Sequence, residues 1–280
     1  MNKAMQFKAR IKNRALKNHI PAQAVLQNYM LEHLLERISL SGYKNRIVLK
    51  GGMLIASIVG ISSRTTMDMD ATLRGFPLTE EAIRTAFLEI CEIPLDDGVK
   101  LVFDHVAPIR EEDEYGGFRI AIIARYEGIN TPLKIDITTG DVLTPGAVQY
   151  AFPSNFENKM IEVWAYNLET ILAEKVETIL RRSVLNTRPR DFYDVFILIK
   201  TQRQAIGMEV FRMALQATCE KRKSLDALKD RERIVRTIQS DGTMRGRWDR
   251  YSKEYFYANG IDFDEVIKVL VEILRASFAG

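Results

Sequence analysis

Two aspartates stand one residue apart in the stretch RTTMDMDATL, which covers residues 64–73. Residues two apart on a β-strand point to the same face of the sheet, so a strand here would place Asp68 and Asp70 side by side. Two neighbouring carboxylates repel each other unless a cation or a proton lies between them. Mg²⁺ suits such a pair, because it often takes one or two carboxylates together with phosphate oxygens. The alternative is an exposed strand edge whose charges block aggregation.

The segment VLKGGMLIASIVG, residues 48–60, predicts a strand, a glycine turn and a helix just before this pair. The free N–H groups at the start of such a helix attract anions, and Lys50 adds a full positive charge beside Gly51 and Gly52. The turn is not a Walker loop, because the pattern G-x-x-x-x-G-K-[ST] is missing. A plain connection between a strand and a helix is the alternative interpretation.

A third acidic residue occurs in LKIDITTG, residues 133–140, where Lys134 and Asp136 are again two apart on a predicted strand. A further carboxylate on a neighbouring strand is what a two-metal phosphoryl-transfer site requires. The alternative is a cross-strand pair between a lysine and an aspartate, which is worth little at a surface.

The elements that must position these residues divide the chain into two parts. Residues 1–160 combine N-terminal amphipathic helices with short strand candidates and turns, among them the charged segment REEDEYGG at 110–117. Residues 161–280 repeat apolar residues at helical spacing throughout. The predicted fold class is therefore α+β, with a mixed sheet in an N-terminal α/β half and an all-helical C-terminal half.

Composition and charge restrict the function classes further. The chain has 280 residues, of which 46% are hydrophobic, and no apolar run approaches the ~18 residues that span a bilayer. Its two cysteines form no disulfide or metal spacing, and we expect a cytoplasmic protein. Residues 1–50 carry a net charge of +8, residues 51–180 a net −11 and residues 181–253 a net +9. An acidic centre between basic segments suits a polyanionic partner, although solvated helix faces would give the same pattern.

Taken in order, these motifs have the layout of the polymerase-beta-like nucleotidyltransferases. The segments LKGGMLIASIVG, RTTMDMDATL, LKIDI, LAEKVETILRR and RPRDFYDVFIL together resemble the AbiEii/AbiGii toxin family of bacterial nucleotidyltransferases, the group that includes the mycobacterial MenT toxins. The five motifs run from Lys50 to about residue 198. The resemblance implies a nucleotidyltransferase domain at 1–160 and a helical domain at 161–280 that completes the active site.

The resemblance also assigns roles to residues of the first half. Asp68, Asp70 and Asp136 would be the catalytic acidic residues that bind metal. The nucleotide-binding residues would be Lys50, Gly51 and Gly52 in the phosphate-cradling turn, Arg64 and Thr66 in the pattern R-x-[ST]-x-D-x-D, and Lys134 beside Asp136. Met53 departs from the family, which usually has a threonine at that position.

In the second half, the resemblance makes Lys175 the lysine that contacts the triphosphate and Asp191 an essential carboxylate, with Asp194 at the nucleotide. Asp191 and Asp194 lie three apart, on one face of a helix that Pro189 is expected to start. A helix-dipole contact is the alternative for these aspartates, and a solvated charge is the alternative for Lys175.

The resulting hypothesis is a toxin of a toxin–antitoxin or abortive-infection system that depends on Mg²⁺ or Mn²⁺. It would transfer a nucleotide from a nucleoside triphosphate to an RNA, such as the 3′ end of a tRNA, release pyrophosphate, and have a cognate antitoxin. The alternatives are a transferase-like fold that binds nucleotide or RNA without turnover, and a metal-dependent phosphohydrolase. Aromatic and basic residues interleave in MRGRWDRYSKEYFY, residues 244–257, which suits nucleic-acid binding as well as it suits packing.

Overall fold

The computed structural model describes residues 3–109 and 116–278 of the chain. Of the charged turn predicted at 110–117, residues 110–115 lie outside the described part. The described chain divides into two compact units. The first unit runs through Asp141 and takes in Val148–Ala165, and the second comprises Val142–Ala147 and the chain from Tyr166 onward.

The first unit is built on a mixed sheet, which has seven strands within the described residues. The order across the sheet is β3-β4-β5-β2-β1-β7-β6. Parallel pairing joins β2 to β5 and β1 to β7, and the other neighbours are antiparallel. The strands are β1 (Ile47–Lys50), β2 (Met69–Leu73), β3 (Lys100–Ile109), β4 (Gly117–Tyr126), β5 (Ile129–Thr139), β6 (Val148–Pro153) and β7 (Met160–Ala165).

Helices of the first unit pack on this sheet and supply much of its core. They are α1 (Lys3–Asn18), α2 (Ala22–Leu40), α3 (Gly51–Val59) and α4 (Glu80–Glu92). The α2 helix is buried on most sides and contacts both β5 and β7. The α4 helix begins after an N-cap threonine, since the Thr79 hydroxyl accepts a hydrogen bond from the Ala82 N–H.

The second unit is helical in its described part. Its longest helices have apolar faces that pack on one another, with α5 contacting α6 and α7, and α11 contacting α6. The helices are α5 (Leu168–Arg182), α6 (Pro189–Gln202), α7 (Met208–Lys221), α8 (Leu225–Lys229), α9 (Arg231–Ser240), α10 (Gly242–Glu254) and α11 (Phe263–Phe278), with short 3₁₀ turns at Ser183–Leu185 and Phe256–Ala258. Pro189 starts α6, as predicted.

The α+β fold class predicted from the sequence is confirmed, with two differences in detail. The strands β6 and β7 were not predicted, although Ile161, Val163 and Ala165 alternate with less buried residues as a half-buried strand requires. The second difference concerns β2, which begins at Met69 and leaves Asp68 in the bend before it. Among the described helices, none combines the length and the apolar character that crossing a membrane would take.

Candidate functional site

Four charged residues form a row across four neighbouring strands of the first unit. Lys50 on β1 pairs in register with Asp70 on β2, Asp70 pairs with Asp136 on β5, and Asp136 pairs with Arg119 on β4. Residues directly opposite each other on neighbouring strands lie on the same face of a sheet. The sheet therefore brings two of the three predicted metal-binding carboxylates together, with one cation at each end of the row.

Arg119 binds the Asp136 carboxylate through two parallel hydrogen bonds from one edge of its guanidinium group. Its Nε donates to Asp136 Oδ1 and its Nη2 to Asp136 Oδ2, both at 2.7 Å. Such two-point pairs fix orientation as well as charge. Hydrogen bonding to Asp136 raises the pKa of Arg119, and the negative charges of Asp136, Asp68 and Asp70 add to that rise. Arg119 thus lies within the field of all three predicted metal-binding aspartates.

At the other end of the row, Lys50 is ion-paired with an aspartate that follows β5. The Lys50 Nζ lies 2.6 Å from Asp141 Oδ2, and the Thr138 hydroxyl donates to the same oxygen at 2.9 Å. Most of the Lys50 side chain is buried, with 13% of it exposed. The pair fixes the ammonium group at the end of β1, directly before the glycine turn.

The glycine turn packs against the Asp70 carboxylate. Gly51 has a φ of +67°, and a Cβ at that position would lie 2.0 Å from Asp70 Oδ2. Only glycine fits both the left-handed backbone and this close approach. Gly51 and Gly52 begin α3, so the first N–H groups of that helix lie beside an acidic residue of the row.

The second glycine packs on the segment that leads into β2. A Cβ on Gly52 would lie 2.9 Å from Thr66 Oγ1 and 3.3 Å from Arg64 Nη2. Arg64 and Thr66 are both buried, and the Arg64 guanidinium also bonds to the Thr65 carbonyl. The two predicted motifs therefore contact each other directly, with Arg64 beneath the turn.

Thr66 explains why Asp68 lies outside the strand. Its hydroxyl donates to Asp68 Oδ1 at 2.8 Å, a local side-chain bond of the kind that competes with strand pairing. The buried Asn28 on α2 fixes the same bend, because its Nδ2 donates to the Thr66 carbonyl at 3.1 Å. Asp68 and Asp70 are thus close in sequence and both half-buried, but a bend rather than a continuous strand sets their relative direction.

Lys134 lies two residues before Asp136 on β5, as predicted, and Met53 follows the glycine turn on α3. Lys134 is exposed on β5, and the cross-strand partner of Asp136 is Arg119 rather than a lysine. Met53 is buried in the core of the first unit. An apolar side chain at this position therefore adds to the core on which the turn rests.

The donor set of the row is compatible with a hard divalent cation. In the part of the chain that the structure describes, no group of three or more His, Cys, Asp or Glu side chains could hold a metal ion by itself. Mg²⁺ does not require one, since it is commonly held by one or two carboxylates with substrate phosphates and water. Asp68 and Asp70 provide such carboxylates. Each oxygen of Asp136, the third predicted metal ligand, accepts one hydrogen bond from Arg119, which leaves a lone pair on each for a metal ion.

The second unit contains a separate charged cluster of sequence-predicted residues. Lys175 Nζ on α5 lies 2.8 Å from Asp191 Oδ1 and 3.0 Å from Asp194 Oδ2, both on α6. Both carboxylates are almost fully buried, and Arg188 lies 3.4 Å from the second oxygen of Asp191. Lys175 is therefore not a solvated charge, and these contacts also serve packing of α5 against α6.

Sequence reasoning missed Arg119, Asp141 and Asn28. A usable signal existed for Arg119, because the two-residue turn Glu127–Gly128 sets the register of β4 against β5. Asp141 follows Gly140 closely after a predicted strand, but its pairing with Lys50 spans 91 positions in the chain. Local sequence carries no information on such a contact.

Comparison with known proteins gives a consistent result. The sequence matches the family described as nucleotidyl transferase AbiEii toxin, type IV toxin–antitoxin system, over residues 33–269. Its fold is similar to that of MenT4, a nucleotidyltransferase toxin from Mycobacterium tuberculosis, with 16% identity, coverage of 96% of this chain and 98% of that one, and a TM-score of 0.55. It is also similar to a candidate nucleotidyltransferase from H. pylori, with 14% identity, coverage of 92% and 97%, and a TM-score of 0.50. No curated protein sequence matches the chain.

Proposed function

The chain belongs to the AbiEii family of nucleotidyltransferase toxins of type IV toxin–antitoxin systems, and from this premise we propose that it transfers a nucleoside monophosphate to an RNA. Family membership implies an enzyme, a nucleoside triphosphate substrate and an antitoxin partner. The proposal adds an RNA acceptor, such as the 3′ end of a tRNA, pyrophosphate as the second product, and the cytoplasm as the location.

The observation that carries the proposal is the row of Lys50, Asp70, Asp136 and Arg119, with Gly51 packed against Asp70. A triphosphate needs cations and N–H donors for its oxygens, and the turn at the start of α3 offers both. Asp68 and Asp70 would hold Mg²⁺ or Mn²⁺, which would supply neutralisation of the triphosphate charge.

The chain's own residues then have distinct roles in the reaction. Gly51 and Gly52 would place the phosphates by their backbone N–H groups, and Lys50 would neutralise one of the phosphate oxygens. Asp136 would accept the proton of the acceptor hydroxyl or orient that hydroxyl, and Arg119 would direct its carboxylate through the two hydrogen bonds between them. The oxygen of the acceptor would attack the α-phosphorus, and the bond from that phosphorus to the pyrophosphate oxygen would break.

We further propose, from the family resemblance, that Lys175 and Asp191 of the helical unit take part in the same reaction, with Asp194 in a supporting position. The ion pairs of Lys175 with both carboxylates also join α5 to α6, so Lys175 contributes to the stability of the helical unit as well. A variant of Lys175 must therefore be judged by its stability as well as by its turnover.

Label transfer tests the proposal most directly. The protein would be incubated with each α-³²P nucleoside triphosphate in turn, together with Mg²⁺ and total tRNA. We expect labelled RNA with at least one nucleotide, and a loss of about a thousandfold or more in Asp68→Asn, because that change removes a carboxylate charge from the proposed metal site. Chelation by EDTA should abolish the labelling, and added Mg²⁺ or Mn²⁺ should restore it.

The matched control is Asp104→Asn, which removes an exposed carboxylate on β3 and should leave labelling unchanged. Label released only as free nucleotide would replace the proposal with phosphohydrolysis. Nucleotide or RNA binding without any turnover would instead favour a binding protein on a transferase fold.

A further inference from the structure

A cleft lined by arginines and tyrosines lies within the helical unit, and one of its lining residues, Arg188, contacts Asp191. It has a volume of about 370 Å³ and opens between the start of α6 and the C-terminal half of α10. Pockets of a few hundred Å³ are large enough for one small organic group. The sequence MRGRWDRYSKEYFY, which suits nucleic-acid binding, supplies one wall of this cleft.

Positive charge dominates the lining of the cleft. Its arginines are Arg188 and Arg190 from the start of α6, and Arg247 and Arg250 from α10, whereas Glu254 is the one acidic residue among the described residues that line it. Arg190 and Arg250 are exposed, and Arg247 is tied down, since its Nη1 donates to the carbonyls of Val184 at 2.8 Å and Asn186 at 3.0 Å. Exposed arginines on a fixed wall are well suited to phosphate groups.

Tyr255 offers an aromatic surface at the same cleft. Its ring is half-exposed and lies 4.7 Å from the Tyr251 ring and 5.5 Å from the Tyr257 ring, measured between centroids. Burial raises the pKa of the Tyr255 hydroxyl, the charge and hydrogen bond of Glu254 raise it further, and the positive charge of Arg190 opposes that rise. Arg190, Glu254 and Tyr255 all line this cleft. A ring fixed by aromatic neighbours on one side can stack with a nucleobase on the other.

The combination distinguishes between polyanions. Inorganic triphosphate has no base to stack on a ring, and a duplex hides the faces of its bases within the stack. A nucleoside triphosphate has both a base and phosphates, and the KM for the nucleotide separates it from a strand in the test below. A single strand presents both phosphates and unstacked bases, and proteins bind it with basic grooves that carry aromatic rings.

We propose that this cleft binds a single-stranded segment of the RNA acceptor, with phosphates on Arg190 and Arg250 and a base stacked on Tyr255. The inference rests on the proposed function, because it assigns a place to the acceptor of that reaction.

The test measures binding of a fluorescein-labelled oligouridylate by anisotropy over a range of salt concentrations, using the full-length chain. The double variant Arg190→Ala/Arg250→Ala should bind about tenfold more weakly at physiological salt, and the slope of log K against log salt should fall by about 1.4, as expected for two lost phosphate contacts on a single strand. The control Arg203→Ala/Arg236→Ala removes the same charge from exposed positions outside the cleft and should change both quantities much less.

Stacking and charge have independent variants. Tyr255→Leu should weaken binding about tenfold, whereas Tyr255→Phe, which keeps the ring, should bind as the wild type does. Glu254→Gln removes the negative charge of the cleft and should tighten binding about fourfold, which tests the site even if the arginine variant is unstable.

Steady-state label transfer separates this proposal from the proposed function. If the wild type labels RNA, the arginine variant should raise the KM for RNA and leave the KM for the nucleotide unchanged. A cleft variant that binds and labels like its control would overturn the inference, as would a rise in the KM for the nucleotide alone or a wild type that does not bind the oligouridylate. Binding with the predicted variant effects but without labelled RNA would count against the proposed function and uphold the cleft.

Discussion

At the scale of single residues, the contact between Gly51 and Asp70 links the phosphate turn to the acidic row. The backbone of Gly51 lies in the left-handed region, and its missing side chain leaves room for Asp70 Oδ2. The Gly-Gly turn and the D-x-D pair are each recognisable in the sequence, because each has a local pattern. Their contact is not, because it depends on the pairing of β1 with β2.

Gly51→Ala should therefore damage both stability and turnover. A left-handed alanine with its Cβ against a carboxylate would cost roughly 3 kcal/mol in the free energy of unfolding, and the displaced Asp70 would no longer serve the reaction. Urea unfolding and label transfer would measure the two effects. Gly42→Ala is the control, since no atom lies near its added Cβ and its φ is not positive, and it should change neither quantity. Normal turnover in Gly51→Ala would show that Asp70 need not hold this position.

At the scale of elements, short turns determine which side chains meet. The hairpin from β4 to β5 turns at Glu127 and Gly128, both with positive φ, as a two-residue turn of this kind requires. That turn sets Arg119 opposite Asp136. The strands were predictable from their apolar alternation and the turn from its glycine, so this pair was within reach of the sequence. The bend at Thr66 was not, since it depends on Asn28 from a distant helix.

The segment between α4 and β3 is fixed to α2 by a buried carboxylate. Arg37 donates to Asp97 Oδ2 at 2.7 Å and to Oδ1 at 3.1 Å, and His33 Nδ1 lies 2.9 Å from Asp97 Oδ2. Burial alone would raise the pKa of Asp97, but hydrogen bonds from His33, Arg37 and the Val99 N–H outweigh it and hold that pKa well below its ordinary value. The ionised carboxylate therefore stabilises this attachment of the helix.

Asp97→Asn should lower the free energy of unfolding by about 3 kcal/mol at pH 7, because it leaves Arg37 buried without its counter-charge. A depressed pKa gives stability that is present above the ordinary pKa of 3.8 and is lost as the pH falls towards the folded-state value. The difference between wild type and variant should thus stay constant from pH 7 to about 4 and shrink below that, as measured by urea unfolding. Asp96→Asn, at the exposed neighbouring residue, is the control, and a difference that shrinks already at pH 6 would assign the effect to another group.

At the scale of the whole molecule, the sequence predicted the change from a sheet-based part to a helical part, because strand candidates occur among the helices of the first part and helical spacing alone follows. The path of the chain between the parts was not predictable. Val142–Ala147 belongs to the helical unit, and the chain then returns to the sheet as β6 and β7 before Tyr166. Contacts between residues far apart in the sequence decide which strands become neighbours. The strands β1 and β7, for example, pair although more than a hundred residues separate them in the chain.

Each unit has its own buried core, and this leads to a prediction about how the molecule opens. Leu215→Ala on α7 removes a fully buried side chain of the helical unit and should cost about 3 kcal/mol. If the units open separately, amide exchange followed by mass spectrometry should speed up in α5, α6 and α7, while β4 and β5 stay protected. Ile122→Ala on β4 is the reciprocal variant. It should speed up amide exchange in β4 and β5, while α5, α6 and α7 stay protected. Equal acceleration of amide exchange across the chain in both variants would mean that the two cores unfold as one cooperative unit. The segments that carry Lys175 and Asp70 would then open together.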